Sequence, residues 1–151
     1  MRIALIGAGS IGTILGALIS KAGEDIELVD SHREHVNALN RNGAKIVGFI
    51  NSTIPVKAIM PGQMTGKYDL IISTTKQTVL KKSLTYALQF MHRHSMVLTL
   101  QNGMPEDISR QIAGPDRVMG GGVEFGATWL APGVSELTSR PSSLKITFCR
   151  P

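Results

Sequence analysis

Short apolar runs alternate with longer amphipathic stretches through the first half of the chain. Residues 2–6 form an apolar run that ends in glycine, the length of a buried strand. Residues 10–22 predict a helix closed by Gly23, and residues 26–30 a second strand. A second helix is expected over residues 32–42, with Ser31 as its N-cap and Gly43 just past its end. Strand, helix, strand, helix implies parallel strands joined by crossover helices. Residues 45–57 read as one or two short strands with Pro55 marking an edge, and residues 61–66 as a loop. Residues 69–73 are another buried strand, and residues 76 to about 94 are helical in period. The next strand, 96–100, ends at the turn Gln101-Asn102-Gly103. Pro105 suits the first position of a helix to about residue 113, and residues 117–121 form a further strand. Residues 123–129, 134–139 and 143–148 then read as short strands added antiparallel, joined by Pro132-Gly133 and Arg140-Pro141.

The first turn carries the pattern Gly7-Ala8-Gly9-Ser10-Ile11-Gly12. The pattern alone is weak. Here it follows a strand, opens a helix, and precedes an acid, Asp30, eighteen residues beyond Gly12 at the end of the second strand. Gly7 would permit the tight turn, Gly9 the close approach of a pyrophosphate, and Gly12 the packing of helix on strand. The free N–H groups of the helix start would face the phosphates, and Asp30 would accept hydrogen bonds from ribose hydroxyls. This makes the expected fold α/β, a Rossmann-like doubly wound parallel sheet with antiparallel strands added at the C-terminal end. Residues 1–151 would form one NAD(P)-binding unit. A carboxylate at Asp30 repels a 2′-phosphate, which leans towards NAD. Arg33 is either a partner for such a phosphate, which would favour NADP, or a solvated helix charge.

Ligands of open parallel sheets bind beyond the carboxyl ends of the strands, and two more of those ends are polar. Ser73-Thr74-Thr75-Lys76 offers Thr74 and Lys76 to the cofactor, and Lys76 also to substrate oxygens. The other reading of Lys76 is a surface lysine opening a helix, an unfavourable place for a cation unless an anion is bound. Asn102 in Gln101-Asn102-Gly103-Met104 would fix cofactor or substrate, or else is a plain turn asparagine. His32, His35, His92 and His94 fall on expected helices and read as surface residues. Glu106 and Asp107 read as ordinary acids of a first helical turn. No metal constellation, no Ser-His-Asp set and no catalytic group emerge.

Composition excludes several classes. The 151 residues are 42% hydrophobic and 18% charged, which suits a packed core rather than disorder. The net charge of +5 is scattered, and two Tyr, one Trp and four Phe give no stacking platform for nucleic acid. The apolar stretch 3–19 is broken by four glycines and falls short of a membrane span of roughly 20 residues. The lone Cys149 reads as a small strand residue in a reducing compartment. With a strand expected from residue 2, no leader is expected, and the expected location is cytoplasmic.

Taken in order, MRIALIGAGSIG, STTK, LQNGMPE and RVMGGGVEFGATWLAPGVSEL resemble the N-terminal domain of the ketopantoate reductase (2-dehydropantoate 2-reductase) family. The resemblance covers nearly the whole chain, and its last two pieces are more specific than the glycine pattern. It implies an oxidoreductase that passes a hydride from NAD(P)H, NADP by family habit, to a 2-keto acid, ketopantoate to pantoate on the route to pantothenate. It implies cofactor contacts at the glycine loop, cofactor and substrate contacts at Lys76 and Asn102, and a place beside the nicotinamide for Ala127. Two departures stand out. Asp30-Ser31-His32-Arg33 lies where the family often has an arginine just after the second strand, and Asn102-Gly103-Met104-Pro105 replaces the usual NGxG. These leave NAD and NADP, and a paralogue acting on another keto acid, both open. The family's second, all-helical domain supplies a catalytic lysine and a substrate-binding acid. This chain stops where that domain would begin, so either a fragment or a natural short form is expected, with self-association through the face that domain would cover. The competing readings are a stand-alone NAD(P)H-binding module without catalysis and a structural protein that binds nothing.

Overall fold

The structure is a computed structural model and describes residues 1–149. Residues 150–151, the last two of the expected NAD(P)-binding unit, lie outside the described residues. The first strand, β1 (Arg2–Ile6), leads through the glycine turn into α1 (Ser10–Lys21), then β2 (Asp25–Val29) and α2 (Arg33–Asn42). Three short strands follow, β3 (Ala44–Gly48), β4 (Ser52–Ile54) and β5 (Lys57–Ile59). Next come β6 (Tyr68–Ser73), α3 (Gln77–Ala87), β7 (Met91–Thr99), α4 (Pro105–Ala113) and β8 (Val118–Val123). The chain ends in β9 (Ala127–Ala131), β10 (Val134–Leu137) and β11 (Ile146–Cys149).

Seven strands form one sheet in the order β11-β8-β7-β6-β1-β2-β5. All neighbours are parallel except β11, which runs antiparallel on β8. This is the expected doubly wound α/β sheet. The order reverses at β1: the chain moves outward through β2 to β5, then returns to β6 on the other side and moves outward again. Alternate residues of β1 serve opposite faces. Ile3 and Leu5 join Ile14, Leu15, Val36 and Leu39 from α1 and α2, whereas Ala4 and Ile6 join Leu80, Leu84 and Ala113 from α3 and α4. Burial on both faces is why the strand is continuously apolar.

The four remaining strands form a second sheet, β4-β3-β10-β9. The expected antiparallel strands at the C-terminal end are present, β11 on β8 and β9 on β10, but only β11 extends the main sheet, and β10 also pairs in parallel with β3, a strand some ninety residues earlier. This sheet packs on α1 from the side away from the main sheet. A helix covered on both sides needs apolar or small residues all round, which explains why Gly12 to Ala17 are all buried and why α1 has no charge before Lys21.

Two local expectations also change. The helix expected to reach residue 94 stops at Ala87, and a single 3-10 turn leads into β7 at Met91. Pairing with β6 at Met91 and again from Met96, on either side of a register shift, and the Ser95 hydroxyl, which accepts from His92 N–H and donates to Tyr68 O (both 2.7 Å), hold this polar segment in the strand. His92 and His94 therefore lie on a strand, not a helix. At α2 the N-cap residue is His32, not Ser31; the turn is tied instead by Asp30 Oδ1, which accepts from His32 N–H at 2.9 Å. Among the described residues no helix is long and apolar enough to cross a membrane.

Candidate functional site

The carboxyl ends of β1, β2, β6 and β7 lie side by side, and the candidate residues sit on the loops that leave them. Gly7 turns with φ +96°, and its N–H donates to Val29 O at 2.9 Å. A Cβ there would lie 2.7 Å from Thr75 N, so only glycine fits both the conformation and the space. Gly9 differs: it caps α1 in extended backbone, and a Cβ there would meet nothing within 4 Å. At Gly12 a Cβ would run into Gly7 O and come within 2.8 Å of Thr74 Oγ1 and 3.0 Å of Leu5, which presses the first turn of α1 onto β1. Ala8 is fully buried, while Ser10 and Ile11 are half-buried at the helix start.

Thr74 is turned inward. Its hydroxyl donates to Gly7 O at 2.7 Å, so the loop after β6 supports the glycine turn directly. Lys76 caps α3 and is exposed, and its side chain has no hydrogen-bond or ion-pair partner among the described residues. Asn102 is exposed beyond β7, and its carbonyl accepts from Gln77 Nε2 at 2.8 Å. Between these loops lies an open cavity of about 470 Å³. Ile11 and Thr74 to Gln77 line one side, Leu100 to Asn102 another, with Val123 and Phe125 opposite. Asp30 follows β2 with one carboxylate oxygen on His32 N–H, and Arg33 is exposed at the start of α2. Ala127 opens β9, half-buried and paired with Leu137, and is not part of the cavity lining.

The sequence model for the family described as ketopantoate reductase PanE/ApbA matches residues 3–149. The chain belongs to the ketopantoate reductase family. It is 38% identical over 147 residues to the 2-dehydropantoate 2-reductase of Pyrococcus horikoshii, covering 95% of this chain and 46% of that protein. Among solved structures it is similar to the ternary structure of D-mandelate dehydrogenase with NADH and anilino(oxo)acetate, with TM-score 0.84, 26% identity, and 92% of this chain against 46% of that one. It is similar also to 2-dehydropantoate 2-reductase from Geobacter metallireducens GS-15, with TM-score 0.81, 27% identity, and 91% of this chain against 46% of that one. The chain spans about half the length of the relatives it matches.

One buried polar residue beside the candidate site escaped the sequence reading. His35, expected on the surface, is fully buried behind the glycine turn. Its Nδ1 accepts from Gly133 N–H at 2.9 Å, so Nε2 carries the hydrogen, which it donates to Ala8 O at 2.6 Å. Thr13 Oγ1 donates to the same carbonyl at 2.7 Å. Burial is the main force holding the ring below the ordinary histidine pKa, against a carbonyl partner and the Asp30 charge that act the other way. Trp129 covers it, ring centres 4.4 Å apart. The only signal in the sequence was the spacing His35–Val36–Leu39, which puts the histidine on the buried side of α2. Among the described residues no group of three His, Cys, Asp or Glu is placed to hold a metal ion.

Proposed function

We propose that residues 1–151 form the dinucleotide-binding part of a reductase of the 2-dehydropantoate 2-reductase type. The observation that carries this reading is the glycine turn. Gly7 and Gly12 are closed to any side chain by the protein itself, while Gly9 is the one position where a Cβ would meet open space at a helix N-terminus. A glycine kept where nothing in the protein excludes a side chain fits a site that an external group approaches. The pyrophosphate would lie there, against the N–H groups of Ser10 and Ile11, with Asp30 on the adenosine ribose and Lys76 and Asn102 at the far half of the dinucleotide. The bound dinucleotide supplies the hydride that reduces a keto carbon. Lys76 would offer its positive charge to the carboxylate or carbonyl oxygen of the 2-keto acid, and Asn102 would orient the reactants.

Asp30 lends support to NADH. Its carboxylate is oriented by His32 N–H and sits where a 2′-phosphate would meet like charge. The D-mandelate dehydrogenase that this chain resembles was solved with NADH. The second reading, NADPH, is favoured by Arg33, whose side chain is exposed and has no partner among the described residues. Calorimetric titration with NADH and with NADPH decides between them, with Gly9→Asp as control. NADH binding that Gly9→Asp abolishes supports the reading; absence of both ligands from the unaltered chain overturns it.

A further inference from the structure

One polar group of the cavity is not accounted for by the contacts above. Gln101 follows β7, and its Nε2 donates to Thr75 Oγ1 at 2.9 Å. Its other end, Oε1, is buried with no partner among the described residues, and the residue lines the cavity beside Asn102. An amide oxygen taken out of water without a donor is unfavourable unless a ligand supplies one. Gln77 crosses the other way, from beside Lys76 to Asn102 O at 2.8 Å. The two glutamines lace the loops after β6 and β7 together, so Gln101 is positioned before any ligand arrives.

We propose that Gln101 Oε1 accepts a hydrogen bond from a hydroxyl of the dinucleotide's second ribose, the one that carries the redox ring. This rests on the dinucleotide reading above. The ligand must present a donor. A 2-keto acid presents carboxylate and carbonyl oxygens, which only accept, so its reacting end is a poor partner for an orphan acceptor. A ribose presents hydroxyls. Strand order selects which ribose: Asp30 follows β2, the glycine turn β1, Thr75 β6 and Gln101 β7, and these strands are adjacent in that order. A dinucleotide with its first ribose at Asp30 and its pyrophosphate at α1 carries its second ribose over β6 and β7. The Thr75 that holds Gln101 also abuts Gly7, so the acceptor is built onto the phosphate turn itself.

The test is calorimetric titration of the 151-residue chain and of Gln101→Met with NADH, ADP-ribose and ADP. ADP-ribose keeps the second ribose without the redox ring, and ADP ends before it. Gln101→Met is expected to weaken NADH and ADP-ribose about tenfold, while ADP stays within about twofold. The ratio of ADP-ribose to ADP affinity within one variant does not depend on its folded fraction. Weakened NADH with unchanged ADP-ribose overturns the proposal and assigns the donor to the ring. Equal weakening of all three overturns it in favour of loop shape alone. Thr75→Val removes the loop-side partner but keeps Oε1, and is expected to hold the ratio within about threefold; a ratio that falls as far as in Gln101→Met overturns the proposal. If the unaltered chain binds none of the three, the dinucleotide reading itself fails; if it binds all three and Gln101→Met changes none, only this inference does.

Discussion

The two ends of the seven-stranded sheet treat their polar groups in opposite ways. At the amino-terminal ends, Glu27 is 3% exposed yet meets Arg2 at 3.1 Å, Lys57 and the Tyr68 hydroxyl, and Arg2 lies 4.2 Å over the Tyr68 ring. Beside them Asp69 accepts from Arg2 N–H at 2.7 Å and pairs with His92 at 2.9 Å, while Arg117 donates to His92 O and Ser95 O. At the carboxyl ends, the Lys76 side chain and the buried Oε1 of Gln101 have no partner among the described residues, and both residues line a cavity. A charge paired within the protein is part of the fold. A group left without a partner at the switch point of the sheet is available to something else. Each prediction below tests whether that division is real.

Gly12→Ala is expected to have the largest effect, because it damages the glycine turn from within. Its Cβ would be driven into Gly7 O and Leu5, at a cost of about 3 kcal/mol in denaturant unfolding, with dinucleotide binding lost as the turn is displaced. Gly9→Asp sharpens the contrast. An aspartate at this N-cap should leave stability equal or raise it by up to about 1 kcal/mol, yet repel the pyrophosphate. A Gly9→Asp chain that still binds NADH would remove the turn from the site.

Glu27→Ala attacks the paired end. It strands Arg2, Lys57 and the buried Tyr68 hydroxyl, at an expected cost of about 3 kcal/mol. Binding per folded molecule should be unchanged. The pH profile carries the same information. Burial pushes the Glu27 carboxyl up, but the bonds from Lys57 and Tyr68 and the charges of Lys57 and Arg2 outweigh it, and it titrates below its ordinary 4.5. Its stabilisation is therefore complete above pH 4.5 and is lost as pH falls through the lower folded value. Burial and the Glu27 bond push Tyr68 above its ordinary 10.0, so its part is complete below pH 10.0 and is lost above it. Unfolding midpoints followed against pH should show both limbs in the unaltered chain; in Glu27→Ala the acid limb shrinks to what Asp69 and other carboxylates supply, and the alkaline limb to the part that burial of Tyr68 sustains.

His35→Phe breaks the comparison from the carboxyl-end side, since His35 is the one fully paired titratable group there. Phenylalanine keeps an aromatic ring against Trp129 but leaves Gly133 N–H buried and unpaired, with an expected loss of about 2 kcal/mol. Because the folded ring titrates below 6.5, its stabilisation is complete above pH 6.5 and fades as pH falls through the folded value. A proton on Nδ1 would face the Gly133 N–H. If unfolding free energies of His35→Phe and the unaltered chain differ equally at pH 7.5 and pH 5, the ring is not held neutral as described.

These residues also mark what a sequence shows and what it hides. The places of Gly7 to Gly12, Asp30, Lys76 and Asn102 at the ends of strands were legible because each signal lies within a few residues of a strand end, and the apolar runs of β1, β2 and β6 need only local pattern to be seen. His35 was misread because its burial comes from a hairpin turn 98 residues further on. The start of β7 was misread for the same reason: His92 to Ser95 are polar in pattern, and the contacts that hold them, pairing with β6 at Met91 and from Met96 and the Ser95 bond to Tyr68 O, come from a strand more than twenty residues earlier. The second sheet was missed because β3 and β10 pair directly although some ninety residues separate them, and both cover α1. The orphan end of Gln101 could not be read at all, since it depends on where Thr75 stands.

The smallest predicted effect decides most about the comparison, because only its sign is at issue. Lys76 caps α3 without a side-chain bond to the helix, and no acid follows in the first turn. A cation there opposes the helix dipole and uses a position that a serine would cap. Lys76→Ser should therefore stabilise the free chain by about 1 kcal/mol, read as a raised unfolding midpoint, and weaken dinucleotide binding. Lys57→Ser, at the other end of the same sheet, should do the reverse: lower the midpoint by breaking the pair with Glu27, and leave binding alone. Two lysines exchanged for the same residue with opposite outcomes in both measurements would mean that one charge holds the fold and the other waits for an anion. If Lys76→Ser lowers the midpoint instead, its charge is part of the scaffold, and the carboxyl end of the sheet is less free than its geometry indicates.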